Sequence, residues 1–192
     1  MHLVRYQLAV SLDGFIAPKD GSASWLEPYG KAAWTFLGPW MKNIGGIIVG
    51  RAMYDQSART GGWNWGKTPS LVMTSRALPA KHAKTVEASD DPAAGLARLR
   101  IRMPEGDIWL FGGGITASGF FKAGLIDLLE LAVVPVVLGE GRPLFPGVSA
   151  PTTFEYQGSQ PIGDGAVVNK YKRIEAAARP ASRSSGRRTK SR

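Results

Sequence analysis

Two runs in this sequence place glycine where an apolar stretch gives way to helical spacing. Gly50-Arg51 follows Gly45–Val49, and Gly112-Gly113-Gly114 follows Asp107–Phe111. A glycine backbone, lacking Cβ, lets a ligand come close. The unpaired N–H groups and positive dipole end of the helix that follows favour a phosphate. Two such turns on neighbouring strands would hold both ends of a dinucleotide pyrophosphate, with Arg51 adding bidentate donors of fixed charge. Each run alone also reads as a tight turn. A third run, Thr74-Ser75-Arg76, follows the apolar Ser70–Met73. Two hydroxyls beside a guanidinium suit the 2′-phosphate that separates NADP from NAD, and equally suit a polar exit from a strand. There is no G-x-G-x-x-G after the first strand and no G-x-x-x-x-G-K-[ST], so the standard dinucleotide and P-loop fingerprints are excluded.

These runs need elements to position them. Leu3–Leu12 is strand-like and ends at the turn signal Asp13-Gly14; Gly45–Val49, Ser70–Met73, Val86 and Asp107–Phe111 supply short apolar strands, and Leu128–Leu138 a long one. Helical spacing covers Lys31–Met41 (Ala33, Phe36, Leu37 and Trp40 on one side, with Pro39 expected to end or kink it), Arg51–Ser57, Pro92–Arg102 and Ile115–Ala123, with Gly124 as a stop. Pro18–Gly30 reads as loop. Thr153–Tyr156 and Ala166–Ile174 read as a terminal hairpin. Short buried strands alternating with helices predict an α/β domain whose sheet is mostly parallel with an antiparallel end.

A chain of 192 residues with 44% hydrophobic and 20% charged residues is of ordinary globular composition. It has no apolar run of membrane-crossing length, and no secretory leader is expected. The absence of cysteine excludes disulfides, thiolate metal sites and a cysteine nucleophile, and fits a cytoplasmic protein. His2 and His82 lack metal-ligand spacing. The net charge of +9 is concentrated at one end: Arg179–Arg192 carries six cations and no acid, and removing these six leaves +3. That tail is expected to stay disordered, serving as a solubilising terminus or a weak, salt-dependent polyanion contact, with no specific nucleic-acid partner.

Five segments, in order, resemble the dihydrofolate-reductase-like superfamily over residues 1–175, with the tail 176–192 outside it. They are Leu8–Ala17, Val49–Tyr54, Val72–Arg76, Leu110–Gly114, and Gly124–Asp127 running into Val133–Phe145. The S-L-D-G-x-I-A start and the P-V-x-L-G-x-G-x-P-L-F element are closer to the reductase domain of the bifunctional riboflavin-biosynthesis deaminase/reductase than to dihydrofolate reductase itself. The resemblance implies a three-layer α/β fold with helices on both faces of the sheet, and NADPH as hydride donor. Carried over by position, Gly50, Arg51, Ala52 and Met53 would bind the pyrophosphate side, and Thr74, Ser75 and Arg76 the 2′-phosphate. Gly112 belongs to the second glycine turn, from which Gly113, Gly114, Ile115 and Thr116 would cradle the phosphates. Ala9 and Ile16 would lie against the nicotinamide, and residues 13–25 would form a lid. A homodimer joined near the C-terminal strands is also implied.

Dihydrofolate reductases carry a carboxylate on the helix before the G-R strand, and here Lys31–Met41 has no acid. The nearest acids are Asp13 and Glu27. Asp13 would orient a substrate hydroxyl or make the Asx turn before Gly14; Glu27 would donate a proton if the lid buries it, or be a solvated loop acid. Trp25, Trp34 and Trp40 would line a flat pocket or pack in the core, and Trp63 and Trp65 would serve a pocket or an interface. Arg142 would reach a substrate phosphate, while Asp127 is structural. The functional expectation is an NADPH-dependent reductase acting alone on a C=N or C=O group of a ribosylamino-pyrimidine or related heterocycle. The alternatives are weak dihydrofolate reduction and a non-catalytic NADPH-binding protein.

Overall fold

Continuous apolar runs mark strands covered on both faces. The computed structural model, which describes residues 2–59, 66–79 and 85–174, gathers them into one eight-stranded sheet. The strands are β1 (Val4–Ser11), β2 (Phe15–Ala17), β3 (Ile44–Gly50), β4 (Ser70–Met73), β5 (Val86–Ser89), β6 (Asp107–Leu110), β7 (Leu128–Val134), β8 (Arg142–Pro143), β9 (Phe154–Gly163) and β10 (Ala166–Arg173). The helices are α1 (Gly30–Met41), α2 (Arg51–Arg59), α3 (Pro92–Arg102) and α4 (Gly114–Lys122). The sheet runs β5-β4-β3-β6-β1-β7-β10-β9: six parallel strands, then an antiparallel hairpin at one edge.

The order of strands fixes where the helices go. The connection β3–α2–β4 steps along the sheet in one direction and β6–α4–β7 in the other, so right-handed crossovers put α2 and α4 on opposite faces. The core agrees. Val4, Tyr6, Ile48, Leu71 and Leu110 pack with Leu96 and Leu99 of α3 and Phe120 and Phe121 of α4, while the alternate positions Ile47, Val49 and Val72 pack with Tyr54 of α2. Helix ends follow local chemistry. Asp91 Oδ1 accepts from the Ala93 and Ala94 amides at 2.8 and 3.0 Å, ahead of Pro92. Beyond α4, Gly124 sits at φ +74° while Leu125 N–H donates to Phe120 O and Gly124 N–H to Phe121 O, closing the helix.

Sequence expectation and structure differ in four places. β7 stops at Val134 instead of Leu138, because Pro135 has no N–H for the ladder. Residues 24–29, read as loop, form a 3-10 turn. β2 and β8 pair as a separate two-stranded sheet. β9 runs to Gly163, and a two-residue turn with Asp164 at φ +52° and Gly165 at +77° joins it to β10. Helix α1 passes Pro39 and ends at Met41. Trp63, Trp65, His82 and the basic tail lie outside the described residues.

On the α1 side, Arg5 and Glu130 form a bidentate pair across β1 and β7. Arg5 Nε and Nη2 donate to Glu130 Oε2 and Oε1 at 2.7 and 2.6 Å. Trp40 Nε1 donates to Oε2 at 3.1 Å, and its ring lies 4.7 Å below the Arg5 guanidinium and edge-on to Trp109. Trp40 is therefore a core residue. Glu130→Ala leaves a guanidinium and an indole N–H short of acceptors in the interior. The expected loss is about 3 kcal/mol of stability, seen as a lower urea midpoint at unchanged m-value.

Candidate functional site

Adjacent parallel strands that send their chains to opposite faces leave a crevice at their carboxyl ends. Here β3 and β6 are those strands, and both glycine runs lie at that end. Gly50 pairs with Met73 at the end of β4, so Thr74-Ser75-Arg76 emerges beside Gly50-Arg51. Ile48 pairs with Leu110, and Phe111 N–H donates to Ile48 O, bringing Gly112–Gly114 alongside. Three runs separated by more than twenty residues each thus share one rim.

The glycines divide into two kinds. A Cβ on Gly50 would lie 2.5 Å from Thr116 Oγ1, and one on Gly112 2.8 Å from Thr116 Cβ. A Cβ on Gly114 would lie 2.5 Å from Pro143 O. These three are glycine because protein atoms already occupy the space. Gly113 has nothing within 4 Å of the same position, and it precedes α4 as an N-cap with no side-chain hydrogen bond. The first turn of α4 holds no acid, and Ile115 there is 85% exposed. Open space, uncapped amides and the positive end of a helix form a donor set that fits a pyrophosphate.

The second charge centre lies across the crevice. Arg51 Nε donates to Asp55 Oδ1 at 2.7 Å, one helical turn on, and Nη1 to Ala77 O at 3.3 Å. Arg76 Nη2 lies 3.6 Å from Asp55 Oδ2 and is two-thirds exposed. The Arg76 amide donates to Thr74 Oγ1, so that hydroxyl shapes the turn, while Ser75 is exposed. Ala52 is exposed and Met53 half-buried against the Tyr54 cluster. Asp55 is a member of this group that the sequence reading missed; its i,i+4 spacing to Arg51 was the available signal.

β1 contributes the third wall. Its pairing with β6 stops at Arg5–Trp109, although β1 continues to Ser11 and β6 to Leu110. The Trp109 indole bridges to Gln7 O at 3.0 Å. Ala9 lies past this parting, on the same face as Arg5 and Gln7, and is half-buried; Ile16, on β2, is half-buried too. α1, on this face, brings no carboxylate.

The loops after β1 and β7 are clasped together. Asp13 accepts from Ser11 Oγ at 2.6 Å, from Leu138 N–H at 3.1 Å and from Gly139 N–H at 2.7 Å. The Ser11 hydroxyl first, then the two amides, hold its carboxyl below the usual carboxylate range. Asp13 is therefore ionised at neutral pH, an exposed carboxylate whose oxygens are engaged by protein donors. Arg142, expected on a substrate phosphate, donates to Lys19 O at 3.4 Å and packs over Gly21; Lys19 also pairs with Glu140. Glu27 is exposed on the 3-10 turn, where Trp25 Nε1 is buried without a hydrogen-bond partner among the described residues. Trp34 is 65% exposed. A second, wide cleft lined by His2, Arg5, Lys42, Asn43 and Asp107 opens at the amino ends of the strands, away from these groups.

The sequence matches the RibD C-terminal domain family over residues 2–168. It is 29% identical over 157 residues to the uncharacterized protein YwjB of Bacillus subtilis (strain 168), covering 81% of this chain and 90% of that one. It is 27% identical over 158 residues to the riboflavin biosynthesis protein RibD of Corynebacterium ammoniagenes, covering 72% of this chain and 44% of the longer relative. The fold resembles that of a Shewanella sp. PV-4 protein with a provisional riboflavin-biosynthesis assignment, at TM-score 0.71 and 25% identity, over 90% of this chain and 99% of that one. Dihydrofolate reductase from Enterococcus faecalis, solved with NADP(H), shares the fold at TM-score 0.61 and 19% identity over 89% and 96% of the two chains.

The two kinds of glycine separate experimentally. Gly114→Ala meets backbone oxygen and is expected to cost about 1–3 kcal/mol, whereas Gly113→Ala stays within about 0.5 kcal/mol of the parent by chemical denaturation. Asp13→Ala removes the acceptor for two loop amides, so hydrogen–deuterium exchange at Leu138 and Gly139 is expected to accelerate at neutral pH while core amides keep their protection.

Proposed function

The chain belongs to the RibD C-terminal domain family, and on that footing we propose that it is a riboflavin-biosynthesis-type reductase using NADPH. Its substrate is a ribosylamino-pyrimidine or a closely related heterocycle, reduced at a C=N or C=O carbon. The observation that carries the reading is the shared rim: the uncapped start of α4 at the open Gly113 faces the same crevice as Arg51 and Arg76. When bound, NADPH supplies a hydride from its nicotinamide.

The chain's own groups do the rest. Amides of Gly114, Ile115 and Thr116 hold the pyrophosphate, with Gly113 leaving room for it. Arg76, flanked by the Ser75 hydroxyl, receives the 2′-phosphate, and Arg51, expected on the pyrophosphate side, joins it there because both arginines meet on Asp55. Ala9 and Ile16 border the nicotinamide where β1 parts from β6. The loop clasped through Asp13 and Arg142 covers the substrate and keeps water from it. Asp13 is not the proton donor, because its carboxyl is ionised and triply hydrogen-bonded. Glu27 is exposed on the 3-10 turn beyond the lid, which fits its second expectation, a solvated loop acid, so water is the proton source. Dihydrofolate is a poor candidate substrate, since α1 presents no carboxylate to a pterin. A homodimer through the hairpin is part of the same proposal: β9 is a ten-residue edge strand with Tyr156 58% exposed, an edge that calls for cover.

Titration by nicotinamide fluorescence tests the reading. NADPH is expected to bind in the micromolar range and NADH at least tenfold more weakly, as loss of one charge-assisted contact set implies (about 1.5–3 kcal/mol). Arg76→Ala weakens NADPH alone, and Gly113→Ala weakens both cofactors without unfolding the protein. Failure of either cofactor to bind below millimolar concentration rejects the proposal.

A further inference from the structure

The charge pair that receives the 2′-phosphate already contains an anion. Asp55 sits one turn into α2, its side chain one-third exposed, with one carboxylate oxygen on Arg51 and the other facing Arg76. The three groups leave a net charge of +1, where the two guanidiniums alone would leave +2. The contacts are unequal: 2.7 Å to the largely buried Arg51, which also lies over the Tyr54 ring, and 3.6 Å to the exposed Arg76. Arg51 is thus fixed in place, while Arg76 is only loosely held.

We propose that Asp55 is a specificity-determining residue: by orienting Arg51 and compensating one of the two positive charges, it sets how strongly the site prefers a 2′-phosphorylated dinucleotide over an unphosphorylated one. This rests on the NADPH reading above. An ionised 2′-phosphate, acceptor-only and anionic like Asp55, competes with it for Arg76, whose longer contact is the one that yields. The carboxylate therefore lowers the affinity gained from the phosphate and leaves the rest of the dinucleotide untouched. It also keeps Arg51 in place when no cofactor is bound.

Asp55→Asn separates charge from geometry, because the amide oxygen still accepts from Arg51 Nε while the negative charge is gone. In full-length protein titrated with NADPH and NADH, this variant is expected to bind NADPH about tenfold more tightly and NADH within about twofold of the parent, tenfold being ~1.4 kcal/mol. The NADPH gain shrinks as sodium chloride is raised, since the site is partly exposed and screened. In an Arg76→Ala background most of the gain disappears. Asp55→Ala, which drops both charge and acceptor, still favours NADPH over NADH by more than the parent does. An unchanged NADPH/NADH ratio in both Asp55 variants, or a ratio that falls, overturns the role of Asp55 and leaves the cofactor reading standing. A parent protein that binds NADPH and NADH equally, or neither, overturns the cofactor reading and the role of Asp55 with it.

Discussion

The contact between the end of β3 and the first turn of α4 is closer than any side chain would permit, and the site depends on it. Gly50 and Gly112 both give way to Thr116, and Gly114 gives way to the backbone of Pro143 and Leu144. Bring these positions apart by one methyl group and α4 no longer starts against the strand ends. Its amides would then face away from Arg51 and Arg76, and β8 would lose the helix it packs on. Only Gly113 is left open, and it is open because its neighbours are packed. The open, uncapped helix start at the rim is a consequence of tight packing beside it.

Two ion pairs of the same type show how burial decides what a charge does. Arg5–Glu130 is almost wholly enclosed, with Trp40 above it and Asp107 at 3.4 Å. Its members satisfy each other, and its geometry fixes β1 against β7 over the parallel stretch Arg5–Leu128 to Ser11–Val134. Arg51–Asp55–Arg76 is half open, with one guanidinium two-thirds exposed. Buried, a bidentate pair fixes structure, and removing one member strands the other. At a crevice mouth, the same groups remain able to exchange one anion for another.

The parallel strands were legible because strands covered on both faces leave continuous apolar runs, as in Gly45–Val49 and Ser70–Met73. β2, β8 and the outer part of β9 were not. Two- and three-residue strands carry no periodicity, and β9 is a polar edge with Gly158 and Pro161 inside it. The glycine turns were read as places where a ligand comes close, but at Gly50, Gly112 and Gly114 the approaching atoms belong to the protein, which the sequence could not say. Arg5 and Glu130 are 125 residues apart in the chain and meet only through the sheet. Asp13 and Arg142 looked available because their partners, the Leu138 and Gly139 amides and the Lys19 carbonyl, lie on loops more than a hundred residues away.

The rim at the carboxyl ends of the strands is better defined than the loops beside it. The groups proposed to hold the cofactor hang from strand ends and helix starts whose positions the sheet dictates. The groups that would meet a substrate hang from loops that hold each other: Asp13 on the 138–139 amides, Arg142 on Lys19, Gly14 O on the Leu144 amide. These contacts close one surface over the parting of β1 and β6 without committing a catalytic group to it. On the neighbouring 3-10 turn Glu27 is exposed, and the Trp25 N–H is buried with no partner among the described residues. The site is therefore sharply defined where its groups are anchored to strand ends, and loosely defined where loops bond only to one another.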